Sequence, residues 1–202
     1  MDASKRIGSF TLINPLGQGA MGEVWRAVLH RDFIRSQIGV PIYDQIQVAI
    51  KFLHVHALQD DWAREGFTSE TAATASLRHP HIVTILDYGV ITKEIASEDA
   101  IQHFGLQSPY LVMELIEGSN WSRVAEQVIW PDLEIMIIQI LDALSHAHAR
   151  GVIHRDIKPE NIMMSSLSQK LSDQRAILTD FGLATAFNSN QNFDSESIAG
   201  TP

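Results

Sequence analysis

The sequence predicts an α+β fold in two lobes, on three observations. Short apolar runs of strand length fill the first third of the chain. The later half carries one long segment whose apolar residues recur at helical spacing. Between the two regimes, residues 114–117 follow a strand-like run and suit a hinge.

Taken in order, Phe10, Leu12 and Leu16 read as a strand ahead of a glycine-rich turn. The run over residues 24–29 follows as a second strand, although its Ala, Glu, Arg and Leu would also suit a helix. Residues 30–47, with Gly39 and Pro41, read as a long loop. Residues 48–53 form an apolar strand. Residues 60–77 have helix-forming composition and end before Pro80. Residues 82–86, rich in β-branched side chains, read as another strand. Residues 91–108 are polar and mixed, as in a surface insertion, and residues 110–116 return to strand. Pro131 suits a first helical position, after which Ile135, Ile138, Leu141, Leu144 and His148 recur at helical spacing up to Gly151. Residues 161–164 and 176–179 are short strands around a serine-rich loop. The Asn- and Ser-rich stretch over residues 187–197 is expected to be mobile.

Composition excludes several classes. With 202 residues, 45% hydrophobic and 19% charged, the chain can bury a core, so overall disorder is a poor description. A formal net charge of −9 argues against a non-specific nucleic-acid binder. No cysteine is present, which removes disulfides, thiolate catalysis and cysteine-ligated zinc and fits a reducing compartment. The start has no apolar stretch after Lys5-Arg6. Residues 133–144 are too short, and too interrupted by Glu134, Gln139 and Asp142, to span a bilayer. The expectation is a cytoplasmic chain with no nucleic-acid partner and no membrane segment.

Four segments carry chemistry. The first, from Gly17 through Gly19 and Gly22 to Val24, fits G-x-G-x-x-G-x-V, where glycines let backbone amides approach phosphate oxygens. Alone it fits a structural turn or a dinucleotide site equally well. The second is Lys51, at the end of Val48-Ala49-Ile50-Lys51. An isolated lysine there usually reaches solvent, and a buried one needs an anion; Glu65 and Glu70 are both candidates by spacing. The third is His154-Arg155-Asp156-Ile157-Lys158-Pro159-Glu160-Asn161. Asp156 can accept a proton, Lys158 can neutralise phosphate charge, and Asn161 can offer a carbonyl oxygen to a hard cation. The fourth, Thr179-Asp180-Phe181-Gly182, sets a carboxylate after a short strand, where an aspartate could also simply begin a turn.

Together and in this order, these segments resemble the eukaryotic-like (Hanks-type) serine/threonine protein kinases. The wording around them resembles bacterial members. The resemblance runs from Phe10 to Thr201 and implies a two-lobed protein-kinase-like fold. Residues 1–9 would be a lead-in, 10–116 a complete β-rich N-lobe with insertions near 30–47 and 91–108, and 117–202 an incomplete helical C-lobe. It implies ATP and Mg²⁺ as ligands and a protein with a Ser or Thr acceptor as substrate. Gly17, Gly19 and Gly22 would cover the phosphates, and Leu16, Gln18, Ala20 and Met163 would also bind the nucleotide. Val24 and Ala49 would pack on the adenine, with Met113 behind it and backbone groups of Glu114 and Leu115 at its edge. Lys51 would hold the α- and β-phosphates and pair with Glu70, which precedes His79-Pro80-His81-Ile82-Val83 by the family's distance. Asp156 would take the acceptor's proton, with Lys158 beside it, and Asn161 and Asp180 would hold magnesium.

The resemblance further implies that Arg155 pairs with a phosphate on Ser189, Ser195, Ser197 or Thr201. Gly200-Thr201-Pro202 is similar to the start of the acceptor-contacting segment. No Ala-Pro-Glu follows, so a chain truncated after the activation loop is expected, with apolar faces of the helix over residues 131–150 partly uncovered. A nucleotide-binding scaffold without transfer activity is the alternative function. Nine histidines invite a metal site, but on a helix His146 and His148 point about 200° apart, which disfavours a shared ion. His154 reads as a packing residue, and Trp62, Trp121 and Trp130 as core or surface anchors.

Overall fold

The computed structural model describes residues 5–19, 22–29, 46–53, 71–125, 130–165 and 175–181. Six strands form one antiparallel sheet: β1 (Arg6–Ile7), β2 (Phe10–Gly19), β3 (Gly22–Leu29), β4 (Gln47–Leu53), β5 (Ile85–Val90) and β6 (Pro109–Glu114). Their order is β1-β2-β3-β4-β6-β5. A second antiparallel sheet joins β7 (Gly118–Asn120), β8 (Ile162–Ser165) and β9 (Ala176–Leu178). The described helices include α1 (Glu98–Phe104), α2 (Trp121–Val124) and α3 (Trp130–His148), with a 3-10 turn over Pro159–Asn161. None of them is long and apolar enough to cross a membrane. The α+β expectation holds.

Period-two alternation divides the large sheet into two faces. Trp25, Ala27, Val48, Ile50, Phe52, Tyr110 and Val112 share one face and build a core with Ile7, Leu12, Ile91 and Ala100. Ala49 and Met113, offset by one residue, lie on the other face with Val83 and Ile177. The ambiguous run over residues 24–29 is strand β3, because its neighbour β4 pairs it residue for residue from Gly22↔Leu53 to Val28↔Gln47.

Two readings are corrected. The strand expected over residues 82–86 begins only at Ile85. Ahead of it, the Val83 N–H donates to the Leu178 carbonyl and the Leu178 N–H to the His81 carbonyl, each at 2.9 Å, so this segment pairs with β9 instead. β-Branched residues favour extended backbone without choosing its partner. The insertion over residues 91–108 is no merely polar surface loop. Ser97 Oγ accepts from the Ala100 N–H, Gly105 closes the helix at φ 89°, and Ile91 and Ala100 are fully buried. In α3, Met136, Ile140, Ala143 and Ala147 are buried against Leu77, Ile82, Met164, Leu178 and Phe181. Ile138 and Leu141, from the stripe read in the sequence, stay 59% and 58% exposed, in line with the expected partly uncovered apolar faces. The helix is apolar on two faces, and spacing alone does not say which one packs. Trp121 does pack on that second core, whereas Trp130 is 72% exposed and lies outside it.

Residues 71–75 are helical, in agreement with the helix read over 60–77. Trp62, Glu65, the loop over 30–45 and the segments over 166–174 and 182–202 lie outside the described residues, and with them every proposed phosphate acceptor.

Burial lowers the proton affinity of His154 and His81, although each ring meets a backbone carbonyl. The folded chain therefore holds both neutral where the unfolded chain protonates them. Their contribution is complete above the ordinary histidine pKa of about 6.5 and is lost as pH falls below it. The melting temperature is expected to be a few degrees lower at pH 5.5 than at 7.5 in thermal unfolding. His81→Asn, which keeps a donor for the Ala176 carbonyl, should lessen the difference.

Candidate functional site

The site lies where the two sheets meet. Lys51 sits within β4, between β3 and β6, opposite Val24 and Leu111. It is only 6% exposed, so the solvent-reaching reading of this lysine fails. Its Nζ lies 2.7 Å from Asp180 Oδ1, on the turn after β9. Glu70, the partner expected from the sequence, lies outside the described residues, as does Ala20.

Asp156 is set between two donors. Lys158 Nζ lies 2.7 Å from its Oδ2, and the Asn161 amide donates to the same oxygen at 3.0 Å and to the Asp156 carbonyl at 2.8 Å. Both partners of the Asn161 nitrogen are acceptors, which fixes the amide orientation and leaves its oxygen as the coordinating end. The Lys158 ammonium, helped by Asn161, holds the Asp156 carboxyl below the usual aspartate range against the opposing effect of burial. The same hydrogen bond raises Lys158. Asp156 therefore stands ionised at neutral pH, as a proton acceptor must.

Histidine and backbone join the two acids. The Asp156 N–H donates to His154 Nδ1 at 3.3 Å, so the proton sits on Nε2, which donates to the Thr179 carbonyl at 2.9 Å. The Thr179 N–H and hydroxyl both donate to the Asn161 carbonyl, at 2.9 and 3.2 Å. The His154 ring also meets Phe181, with centroids 4.4 Å apart. His154 does pack, as the sequence suggested, and both its nitrogens tie Asp156 to the residue before Asp180. No residue pattern signals this second task. Arg155 and Asp180 adopt left-handed backbone, with φ of 64° and 61°, which non-glycine residues hold only where their surroundings fix them.

Around this polar cluster, Ala49, Met113, Val24 and Leu115 form an apolar wall together with Val83, Ile177 and Ile116, three residues that sequence reasoning missed. An apolar residue beside a site looks like any core residue in sequence, so no signal could have found them. Met113 also lines a cleft with Thr71, Thr74, Val83, Ile85, Leu111, Asp180 and Phe181. The Glu114 N–H is held by the Thr84 carbonyl at 3.0 Å, and its carboxylate accepts from the Thr84 N–H at 2.8 Å. Met163 pairs with Ile177 between β8 and β9 and is half-buried. Leu16, Gly17, Gln18 and Gly19 are exposed on β2.

The three motif glycines differ in what they face. A Cβ on Gly22, at φ 147°, would lie 1.8 Å from the Phe52 carbonyl oxygen, so glycine is needed for β3 to approach β4. A Cβ on Gly17 or Gly19 would meet nothing within 4 Å. Gly22→Ala should cost about 1–3 kcal/mol by overpacking and lower the melting temperature by roughly 2–4 °C per kcal/mol. Gly19→Ala should leave the melting temperature of the free chain unchanged. Equal losses for the two variants in thermal unfolding would refute the distinction.

Comparison with known proteins places this geometry. The protein kinase domain family matches residues 10–202. The serine/threonine-protein kinase PkaA of Streptomyces coelicolor is 33% identical over 200 residues, covering 97% of this chain and 34% of that protein. The serine/threonine-protein kinase PrkC of Bacillus subtilis is 32% identical over 201 residues, covering 98% of this chain and 26% of that protein. The crystal structure of the PknI kinase domain from Mycobacterium tuberculosis superimposes with a TM-score of 0.63 at 28% identity, over 91% of this chain and 63% of that one. The chain thus spans about a quarter to a third of the length of these two curated relatives.

Proposed function

Because this chain belongs to the protein kinase domain family, we propose that it transfers the γ-phosphate of ATP to serine or threonine hydroxyls of a protein. The observation that carries the reading is the convergence of a buried lysine, two aspartates, an asparagine and a second lysine at the junction of the two sheets. The acceptor class rests on Lys158, two residues after Asp156, and on the two curated relatives, both named serine/threonine-protein kinases.

In this mechanism Asp156 receives the hydrogen bond of the acceptor hydroxyl and takes its proton as the new O–P bond forms. The bond from the γ-phosphorus to the β–γ bridging oxygen breaks, and ADP leaves with the electron pair. Lys158, already beside Asp156, offsets charge on the transferring group, and Lys51 holds the phosphates that remain on ADP. The apolar wall of Val24, Ala49, Met113 and Leu115 receives the adenine. Asn161 and Asp180 offer the oxygen donors that Mg²⁺ prefers, and so small a protein donor set fits an ion that takes its remaining ligands from phosphate and water. Bound there, magnesium would neutralise phosphate charge. No covalent enzyme intermediate is needed, and positioning and electrostatics supply the rate.

Asp156→Asn separates transfer from binding. The variant is expected to lose about 10²–10⁴-fold in phosphotransfer. Thermal unfolding should still show stabilisation by Mg²⁺ and a non-hydrolysable ATP analogue, about 2.7 kcal/mol at a hundred times the dissociation constant. A parent chain that gains this stabilisation yet transfers no phosphate would instead be the nucleotide-binding scaffold. Undiminished transfer by the variant would remove Asp156 from the mechanism.

A further inference from the structure

Resting on the nucleotide-site reading above, we propose that the insertion over residues 91–108 is a positioning element, in which His103 of α1 acts through Glu23 to set the strand that follows the glycine-rich turn. The insertion lies against the face of the large sheet opposite Lys51. Phe104 stacks on Phe52 with centroids 3.8 Å apart and meets Trp25 edge-on at 5.8 Å. Phe52 is the neighbour of Lys51, and Trp25 is the neighbour of Val24. In the β3–β4 register Glu23 pairs with Phe52 and Val24 with Lys51. The aromatic contacts therefore grip, from outside, the backbone whose other face presents Lys51 and Val24.

The polar contact is specific. Glu23, one residue after Gly22, accepts through Oε2 from Trp25 Nε1 at 3.0 Å and from His103 Nε2 at 3.2 Å. On the other side of the ring, Lys5 Nζ lies 3.5 Å from His103 Nδ1 and 4.8 Å from the centre of the Trp25 ring. Lysine can only donate, so Nδ1 accepts and Nε2 carries the proton that reaches Glu23. One end of α1 thus restrains the first residue after the turn. The other end is held in the core through Ile91, Ala100 and the Gly8 N–H bond to the Ile95 carbonyl at 2.6 Å. A turn whose backbone amides meet phosphate oxygens gains affinity when its free positions are already limited. His103 itself touches no ligand.

The test uses the full chain and Mg²⁺ with a non-hydrolysable ATP analogue as probe, by titration calorimetry. His103→Ala removes the donor together with the ring's edge-on contacts to Trp25 and Phe104. It should weaken the parent's affinity about three- to fivefold, the range of one partly exposed charged contact, and lower the ligand-free melting temperature by no more than roughly 2–4 °C. His103→Gln retains a donor for Glu23 and should restore most of the loss. In the double variant with Glu23→Ala, which has no side-chain acceptor, the His103→Ala effect should disappear. An unchanged affinity in His103→Ala overturns the proposal. A loss that follows the melting temperature and is not recovered by His103→Gln overturns it too, since that is the mark of a merely structural contact. A parent chain that binds no nucleotide would fail the underlying reading first, and this inference with it.

Discussion

A lysine buried in the middle of a sheet must have a counter-charge, and much of this structure follows from where Lys51 finds one. Its position within β4, between β3 and β6, denies the ammonium a path to water. An ammonium left alone there would cost several kcal/mol. Asp180 meets it at 2.7 Å, but Asp180 belongs to the turn after β9, in the other sheet. The pair therefore adds a charged tie between the large sheet and the small one to the apolar packing of Ala49 and Met113 with Ile177. Asp180 can serve only if its turn is held, and the holding comes from Thr179, bonded to the Asn161 carbonyl and to the His154 ring. Lys51 thus depends on the same loop that shapes Asp156. Any anionic ligand reaching Lys51 brings a second counter-charge and finds the first already in place.

The fold was legible wherever one strand's composition sufficed to define it. Residues 48–53 read as a strand because a continuous apolar run of that length has few other uses, and β4 is that strand. Residues 24–29 were ambiguous because the deciding fact, pairing with β4, lies in another part of the chain. The same cause displaced the strand expected at residue 82. Its β-branched residues are extended as foreseen, but His81 and Val83 bond to Leu178, almost a hundred residues away. In α3 the difficulty was different. The helix presents apolar residues on two faces, and only the position of β9 and Leu77 selects Met136 and Ile140 over Ile138 and Leu141 for burial.

At the candidate site, the residue types were legible and their partnerships were not. Lysine, aspartate and asparagine announce themselves by chemistry that has little use in an ordinary core. Their geometry depends on side-chain directions that a sequence does not carry. Nothing in the spacing of Asp156, Lys158 and Asn161 says that both neighbours converge on one carboxylate oxygen. Nothing says that a histidine two residues earlier has each nitrogen occupied. The apolar wall is legible only in part, because Val83, Ile177 and Ile116 carry no chemistry that separates a site from a core.

The large sheet sets a final constraint. Its central strands β4 and β6 are buried on both faces, yet the side chains on those faces differ in size. One face carries Trp25, Phe52 and Tyr110, packed against Phe104 and Ile91. The other carries Val24 and Ala49, where Ala49 contributes only a methyl group. Interiors are packed to the density of organic crystals, so backbone position is set by the side with the greater volume of contact. Here that side faces away from Lys51. The strands that present the candidate site are consequently held from behind, by aromatic rings and an inserted helix, and the face that carries Lys51 can keep Ala49 beside Met113 without loosening the backbone. A site built this way draws its rigidity from residues on the far face of the sheet. That is why the insertion over residues 91–108, which looks dispensable as a polar stretch of sequence, is physically continuous with the candidate site on the opposite face.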